Sequence, residues 1–287
     1  MIRKNATISY VGEGYNRVVI KAISRSSYGI QELRAHISAQ ACSRYVLPVL
    51  NFDITRDTVR LYLPFIDCKQ LRMCCRNIKS YLRYLCQALR DIHCAGIVHG
   101  DVKPSNFLVG RGRDQYFLAD FGLSSCNTTA IVTPASSDTR KRFLGPCSAP
   151  GTAGFRAPEL VVDPLAKPSC ASDMWAVGIT LLCLLRRRIV QMEGDDKQQK
   201  RYSEADWVSQ LIGTDCWKSL SNGTPWATMD LKAQYHAPTL QKHWRFIAYG
   251  RGNDKSLDLL SRLLQLEPRN RITAAECLNH PFLHTAS

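Results

Sequence analysis

Short apolar runs of β-forming residues dominate the first sixty positions of this 287-residue chain. The runs from Ile8 to Val11, Val18 to Ile23 and Val59 to Leu63 are rich in Val, Ile, Tyr and Leu, which is typical of β-strands. Between the last two runs, the residues from Tyr28 to Cys42 carry apolar side chains at helical spacing, which predicts a helix. Pro64 is expected to end the third strand, because proline cannot donate a ladder hydrogen bond.

The pattern after this strand is mostly helical. One apolar stripe recurs every three or four positions and ends before Gly96; its members are Ile78, Tyr81, Leu82, Leu85, Leu89 and Ile92. The segments from Leu257 to Leu266 and from Ala274 to Leu278 repeat this pattern. A β-rich part followed by a helical part predicts a bilobal α+β fold, with lobes at residues 1–66 and 67–287 and a cleft between them.

The composition excludes few classes of function. Lys and Arg total 38 against 24 Asp and Glu, and the resulting charge of +14 suits nucleic acid, an anionic surface or acidic peptides. The basic clusters at 140–142 and 186–188 are short and lack interleaved aromatic residues, so direct binding of nucleic acid is not expected. The longest nearly apolar stretch, Trp175 to Leu185, is eleven residues, too short to span a bilayer, so no membrane association is expected.

The number and spacing of the cysteines indicate the cellular compartment in which the protein is expected. The twelve cysteines include no C-x-x-C pair, which argues against a zinc ribbon. Residues 1–5 show no apolar leader segment, so reduced thiols in the nucleus or cytosol are expected rather than disulfides.

The strongest chemical signal is the segment 99–106, HGDVKPSN, followed by Asp120-Phe121-Gly122. Phosphoryl transfer from ATP requires metal-held phosphates and a positioned acceptor hydroxyl. Asp101 suits the second task, since an aspartate can face the hydroxyl. Asn106 and Asp120 offer the oxygen ligands that Mg²⁺ prefers. The two motifs together predict phosphoryl transfer with ATP and Mg²⁺.

Upstream residues fit the same chemistry in chain order. Gly12-Glu13-Gly14 follows a predicted strand, as a phosphate-covering loop should. Lys21 stands where a lysine contacts the α- and β-phosphates, and Glu32 on the next predicted helix is its expected salt-bridge partner. Taken singly, such residues are more often a simple turn, a solvated lysine and a surface glutamate, and it is their place in this series that favours a functional role.

In this order the motifs resemble the protein kinase family over nearly the whole chain. The resemblance implies that Asp101 orients the substrate hydroxyl and accepts its proton. Lys103, two residues later, resembles serine/threonine rather than tyrosine kinases. Residues 151–159, GTAGFRAPE, resemble the end of an activation segment that spans 120–159, in which Thr152 frames the acceptor hydroxyl.

The same resemblance implies an adenine pocket. Leu63 would gate this pocket and Leu108 would form its floor, while backbone groups near Phe65 and Ile66 would meet the edge of the adenine.

Four other residues are expected to be structural. Glu159 is expected to pair with Arg271 within the large lobe. His99 is expected to form hydrogen bonds rather than to shuttle protons, and Asp173 is expected to cap the central helix of that lobe.

The amino-acid sequences of the motifs at 96–108, 151–159 and 173–178 resemble the cell division control protein 7 family more closely than other kinases. These Dbf-dependent kinases trigger DNA replication. The resemblance implies a nuclear kinase that needs a Dbf-type regulatory subunit and phosphorylates the MCM helicase at serines in acidic contexts. Arg156 is the first residue expected to read such acidic substrates.

Two departures from the family pattern stand out. Gly100 replaces an arginine that normally pairs with an activation-loop phosphate. Phosphomimetic changes are therefore not expected to raise activity at Thr128, Thr129, Thr133 or Thr139. Lys21 follows Gly12 by nine positions, where a complete hairpin strand needs about fifteen, and Arg17 takes the place of the third glycine. Either the small lobe lacks a hairpin strand or the gene model has lost a segment.

Three functional hypotheses follow from these residues. The leading one is an active serine/threonine kinase of the replication-initiating type. The second is a pseudokinase that binds a partner without phosphoryl transfer, which the short glycine segment and Gly100 favour. The third is an active kinase of a neighbouring serine/threonine group.

Overall fold

The computed structural model of the chain describes residues 6–13, 17–68, 78–112, 114–126, 150–163, 165–187, 197–222, 248 and 252–284. A sheet and one helix form the N-terminal part, and helices dominate the rest. The predicted bilobal α+β architecture is confirmed.

A four-stranded antiparallel sheet and a single helix make up the smaller lobe. Its elements are β1 (Ala6–Val11), β2 (Val18–Ser24), α1 (Ser27–Cys42), β3 (Asn51–Ile54) and β4 (Thr58–Pro64). The strands lie in the order β1-β2-β4-β3, so β1 and β3 are the edges. Helix α1 begins where the Ser26 hydroxyl accepts a hydrogen bond from the Gly29 amide, a common way to satisfy a free helix-end donor.

The small lobe is built without a separate hairpin strand before the Lys21 strand. Strand β1 pairs directly with β2, with Val11 opposite Val18 and Ile8 opposite Lys21. Among the described residues between Gly12 and Lys21, which are 13 and 17–20, the first half of β2 is the only strand.

The larger lobe contains eight described helices and two short β-ribbons. The helices are α2 (Ile78–Cys94), α3 (Pro158–Val162), α4 (Cys170–Arg186), α5 (Lys197–Ile212), α6 (Thr214–Ser221), α7 (Asp254–Leu263), α8 (Ala274–Leu278) and α9 (Pro281–His284). The ribbons pair β5 (Ile97–Val98) with β8 (Ser125–Cys126), and β6 (Phe107–Val109) with β7 (Tyr116–Leu118). Over the described residues, no helix is both long and apolar enough to cross a bilayer.

The core of the large lobe forms around α2 and α4. The stripe predicted on α2 is buried from Tyr81 to Ile92, as an amphipathic helix requires. Helix α4 is apolar nearly all round and is buried on every face from Ser172 to Leu185. This central helix is the support on which the catalytic segments rest.

The predicted pair between Glu159 and Arg271 is confirmed. Two guanidinium nitrogens of Arg271 donate to the Glu159 carboxylate at 2.7 and 2.6 Å. The Arg271 side chain is completely buried and its Nε donates to the Gln265 carbonyl at 2.7 Å. The Trp175 ring lies 5.2 Å from the guanidinium carbon. This pair therefore fixes the end of the activation segment to the helical core.

The prediction that Asp173 caps α4 is wrong. Ser169 is the capping residue, and it exchanges hydrogen bonds with Ser172 at 3.2 and 2.9 Å. Asp173 lies within the first turn, and its carboxylate accepts hydrogen bonds from the backbone amides of His99 and Gly100, both at 2.9 Å. Asp173 therefore supports the segment that carries Asp101.

Candidate active site

Lys21 joins three elements at the cleft. Its ammonium on β2 donates to Glu32 on α1 at 2.6 Å and to Asp120, in the loop after β7, at 2.8 Å. Lys21 is 15% exposed and Glu32 is 5% exposed, whereas the Asp120 side chain is 41% exposed. The structure thus forms the predicted salt bridge and leaves the Asp120 carboxylate accessible from the cleft.

The local electrostatics favour the charged forms of Lys21 and Asp120, whereas burial raises the pKa of Glu32. Burial alone would lower the pKa of Lys21, but the carboxylates of Glu32 and Asp120 outweigh it and the pKa is raised. Burial alone would raise the pKa of Asp120, but the Lys21 ammonium holds it at about 2. Asp120 is therefore a carboxylate at neutral pH, as a metal ligand must be.

Phe121, beside Asp120, is buried against two histidines. Asp120 has a positive φ of 67°. The rings of His36 and His99 lie 4.9 and 5.0 Å from the Phe121 ring. His36 Nε2 also lies 2.7 Å from the Leu47 carbonyl, and burial lowers the pKa of His36 to about 4, so the neutral ring donates there. These contacts attach the start of the activation segment to α1.

Asp101 is held by three neighbouring side chains. Lys103 Nζ and Asn106 Nδ2 donate to its Oδ2 at 2.7 and 3.1 Å, and the Thr152 hydroxyl donates to Oδ1 at 2.6 Å. Lys103 also donates to the Thr152 hydroxyl. Since Asn106 uses Nδ2 towards Asp101, its amide oxygen is the atom left to ligate a cation. The structure therefore brings these four predicted residues into one cluster.

His99 and His93 are both structural in this arrangement. His99 Nε2 lies 3.1 Å from the Ala119 carbonyl, in agreement with the expected hydrogen-bonding role. His93 on α2 reaches the Asp173 carboxylate at 2.9 Å. Burial alone would lower the pKa of His93, but hydrogen bonds with Asp173 and Cys170 raise it to about 9. His93 is therefore charged at neutral pH and ties α2 to α4 beneath the catalytic segment.

An apolar cluster lies between the lobes where adenine is expected. Leu63 belongs to the same cluster as Ala119, and Ile66 and Leu108 pack against that cluster. Val19, two residues before Lys21, packs there as well. The predicted gate and floor residues are thus brought together beneath β2.

Gly12 does not lie where the sequence predicted. Val18 is opposite Pro64 in the sheet, and the Phe65 amide donates to the Arg17 carbonyl at 3.0 Å. This end of β2 is therefore the one beside Phe65, where adenine is expected, and Lys21 lies about 10 Å further along the strand. Gly12 adjoins this end and is not brought over Lys21. Gly14 lies outside the described residues.

Arg156 is not free to read acidic substrates as predicted. Its guanidinium donates to Glu204 on α5 at 2.6 Å, and the Glu204 side chain is only 2% exposed. Its remaining nitrogens donate to the carbonyls of Pro150 and Gly151 at 3.0 and 2.8 Å. Glu204 also accepts from the Gly154 amide at 2.8 Å. Arg156 therefore fixes the end of the activation segment to α5.

Gly100 occupies a position that suits only glycine in this structure. Its φ is +77°, and a Cβ atom would lie 2.6 Å from the Leu123 carbonyl oxygen. The four activation-loop threonines named above lie outside the described residues.

Sequence reasoning missed several residues near the site. Val19 could have been found from its position one alternation before Lys21 on the same strand face. Tyr28 lies one helical turn before Glu32, and burial together with Glu32 and Asp120 raises its pKa to about 12. Glu204 gave no local signal, because its partner is 48 positions away.

Comparison with known proteins agrees with this geometry. The family described as "Protein kinase domain" matches residues 11–283. A "Probable cyclin-dependent serine/threonine-protein kinase" of Dictyostelium discoideum is 26% identical over 96% of this chain and 43% of its own length. "Cell division control protein 2 homolog C" of Antirrhinum majus is 28% identical over 73% of this chain and 61% of its own length.

A third relative matches along nearly its whole length. "Probable cell division control protein 7 homolog 1" of Encephalitozoon cuniculi is 26% identical over 97% of this chain and 92% of its own length. The chain thus spans less than two thirds of the first two relatives and most of the third.

Proposed function

Because this chain belongs to the protein kinase domain family and is a serine/threonine kinase, we propose that it is a replication-initiating kinase of the cell division control protein 7 type. One observation carries the catalytic part of the proposal. Lys21, Glu32 and Asp120 are in contact while Asp101, Lys103 and Thr152 form a second cluster, so both halves of a transfer site are assembled in one conformation.

The residues present fit ATP and Mg²⁺, which this family generally uses. Mg²⁺ favours a few oxygen ligands and substrate phosphates, and the Asp120 carboxylate and the Asn106 amide oxygen offer such ligands. When bound, the metal would neutralise the phosphates. The Lys21 ammonium is oriented by Glu32 to meet the α- and β-phosphates.

Asp101 is the proposed acceptor of the proton from the substrate hydroxyl. The hydrogen bonds from Lys103 and Thr152 hold its carboxylate in one orientation, so the hydroxyl meets a fixed acceptor. Lys103 also places a positive charge beside the position where the phosphoryl group is transferred, which stabilises the developing charge.

The finer proposal concerns substrate, partner and compartment. The motif resemblance and the match along 92% of the Encephalitozoon relative support a substrate among MCM helicase subunits, a Dbf-type regulatory subunit and a nuclear location. The +14 charge is compatible with serines in acidic contexts. Because Arg156 is paired with Glu204, recognition of acidic residues is assigned to other basic residues.

A kinase of the cyclin-dependent group is the second candidate. The Dictyostelium relative is also 26% identical over nearly the whole chain, and its name includes dependence on a cyclin. The two candidates differ in the regulatory subunit that they require.

Transfer of labelled phosphate from Mg·ATP to an MCM N-terminal tail peptide tests the proposal. The chain is assayed alone, with a Dbf-type subunit and with a cyclin, beside Asp120→Asn, which keeps the shape of the side chain and removes its charge. Transfer that requires the Dbf-type subunit and is lost in Asp120→Asn is the expected result. Stimulation by the cyclin alone would instead favour the second candidate. A folded chain that transfers no phosphate under any condition would support the pseudokinase hypothesis.

A further inference from the structure

Strand β1 is an unprotected edge of the small-lobe sheet. Its six residues pair with β2 in an unbroken antiparallel register, and among the described residues no strand pairs with its other side. The strand contains no charged residue and no proline, which are common means of preventing an edge strand from pairing further. Within the described part of the chain, the outward-directed amide and carbonyl groups of β1 are therefore open to another strand.

The apolar side chains of β1 are exposed as well. Ile8, Tyr10 and Val11 are 51%, 59% and 57% exposed. Ile8 and Tyr10 lie on the face of the sheet that carries Lys21, whereas Ser9 lies on the opposite, outer face. An exposed apolar edge strand is a place where association with another chain is expected.

The opposite edge of the sheet, β3, is better protected. It is only four residues long, and it includes the charged Asp53, whose carboxylate accepts a hydrogen bond from the Tyr62 hydroxyl at 2.7 Å. The Asn51 side chain accepts a hydrogen bond from the Phe52 amide at 2.9 Å, so a side chain already satisfies one backbone donor of this strand. Of the two edges, β1 is therefore the one expected to pair.

We propose that two copies of this chain associate through antiparallel pairing of their β1 strands, with Ser9 of one copy opposite the partner's Ser9. In this register Ile8 of each copy lies opposite the partner's Tyr10, on the face that carries Lys21. Such pairs of β-branched and aromatic side chains stabilise antiparallel strands. The two four-stranded sheets then form one continuous sheet about a two-fold axis that passes between the strands at Ser9.

The strand is suited to pairing with a second copy because it is uncharged. Two identical strands that carried a charge near this axis would place like charges close to each other, which is destabilising. On β1 the contact at the axis is instead between two serines, with neutral side chains on either side. The partner with this chemistry is the chain itself.

The antiparallel orientation also keeps the two large lobes apart. Val11, Val18 and Pro64 lie at one end of three neighbouring strands, which is the end where β4 continues towards the large lobe. In an antiparallel pair, these ends of the two copies point in opposite directions. The large lobes therefore lie at opposite ends of the shared sheet.

The association should be weak and reversible. A stable interface buries more than about 1,000 Å², and pairing of two six-residue strands is a smaller contact. We expect a dissociation constant on the order of 10–100 μM. Each copy carries a charge of +14, so the two copies repel and added salt should strengthen the dimer.

Sedimentation velocity of the full chain from about 1 to about 200 μM, in about 0.3 M salt, tests the proposal. The 32.3 kDa chain should shift towards twice that mass as its concentration rises. Ser9→Lys and Ser9→Glu each place like charges opposite each other, so each should weaken the dimer about tenfold or more. A mixture of the two variants should dimerise again, because opposite charges then meet at the axis.

A matched control lies on the other edge of the sheet. Ile54 on β3 is 44% exposed, and Ile54→Lys should leave the dimer unchanged. Hydrogen exchange of residues 6–11 should slow as the concentration of the wild type rises and should not slow in Ser9→Lys. Ser9 is exposed, and thermal unfolding of each variant checks that the fold is retained.

The outcomes do not depend on the proposed function, since phosphoryl transfer is not measured. A wild type that remains monomeric at every concentration would overturn the proposal, and so would a dimer that both Ser9 variants retain or that Ile54→Lys abolishes. A monomer in which residues 6–11 exchange slowly at every concentration would also overturn it, because the chain would then cover its own edge. Protection of these residues only after a Dbf-type subunit is added would overturn it and assign the edge to that subunit.

Discussion

The ion pair between His93 and Asp173 predicts how the stability of the large lobe depends on pH. The histidine is 11% exposed, and its pKa of about 9 lies well above the ordinary value of 6.5. Because the pKa is raised in the folded state, the pair stabilises the protein fully below the unfolded pKa, and this contribution is lost as the pH rises through 9.

The size of this contribution follows from the two pKa values. Each unit of difference corresponds to about 1.4 kcal/mol, so the charged pair contributes about 3 kcal/mol at pH 6. The same relation gives about 1.4 kcal/mol at pH 8 and less than about 0.1 kcal/mol at pH 10.

Urea unfolding of the wild type and His93→Gln at pH 6, 8 and 10 measures the effect. Groups distant from His93 titrate alike in both proteins, so the difference in free energy of unfolding reports on His93 together with its partners Asp173 and Cys170, apart from a constant offset for lost packing. We expect this difference to fall by about 3 kcal/mol from pH 6 to pH 10. A difference that stays constant across this range would refute the ion pair.

Three other substitutions test packing around the site. Glu159→Ala leaves the buried Arg271 guanidinium without its carboxylate partner and should lower the free energy of unfolding in urea by about 3–5 kcal/mol. Glu159→Gln should lower it less, and equal losses in the two variants would contradict a charge-based role. Gly100→Ala places a Cβ atom at a residue with positive φ and against the Leu123 carbonyl, so it should lower the free energy of unfolding by about 1–3 kcal/mol. Unchanged stability would show that the turn can relax. His36→Phe keeps an aromatic ring but loses the hydrogen bond to the Leu47 carbonyl, so it should lower the free energy of unfolding by about 1–3 kcal/mol and speed hydrogen exchange in α1. Unchanged exchange would mean that packing alone holds this helix.

Much of this structure could be predicted from local pattern. The α2 stripe is a clear helical period, and the spacing within residues 99–106 was sufficient to group Asp101, Lys103 and Asn106. These predictions agree with the structure because each depends on residues close in sequence or on chemistry that demands particular side chains.

The predictions that were missing or wrong depend on contacts between residues that are distant in sequence. Strand β3 is four residues long and too short to show a period. The position of Gly12 depends on which end of β2 meets Pro64, and strand order cannot be read from spacing alone. Asp173 resembled a helix cap, but the capping box at Ser169 already filled that role.

The hydrogen bonds that Arg156 makes to Glu204 and to the backbone of residues 150–151 also affect the rate at which a substrate binds. The end of the activation segment is tied by Arg156 and Glu204 to α5 and by Glu159 to the core, all within the chain. A peptide arriving at residues 150–159 meets backbone that these contacts already hold in place, so this part of the segment loses little conformational entropy at the moment of binding. Encounter with the acidic substrates of the proposed function should therefore depend on long-range attraction by the +14 chain and weaken as salt is added.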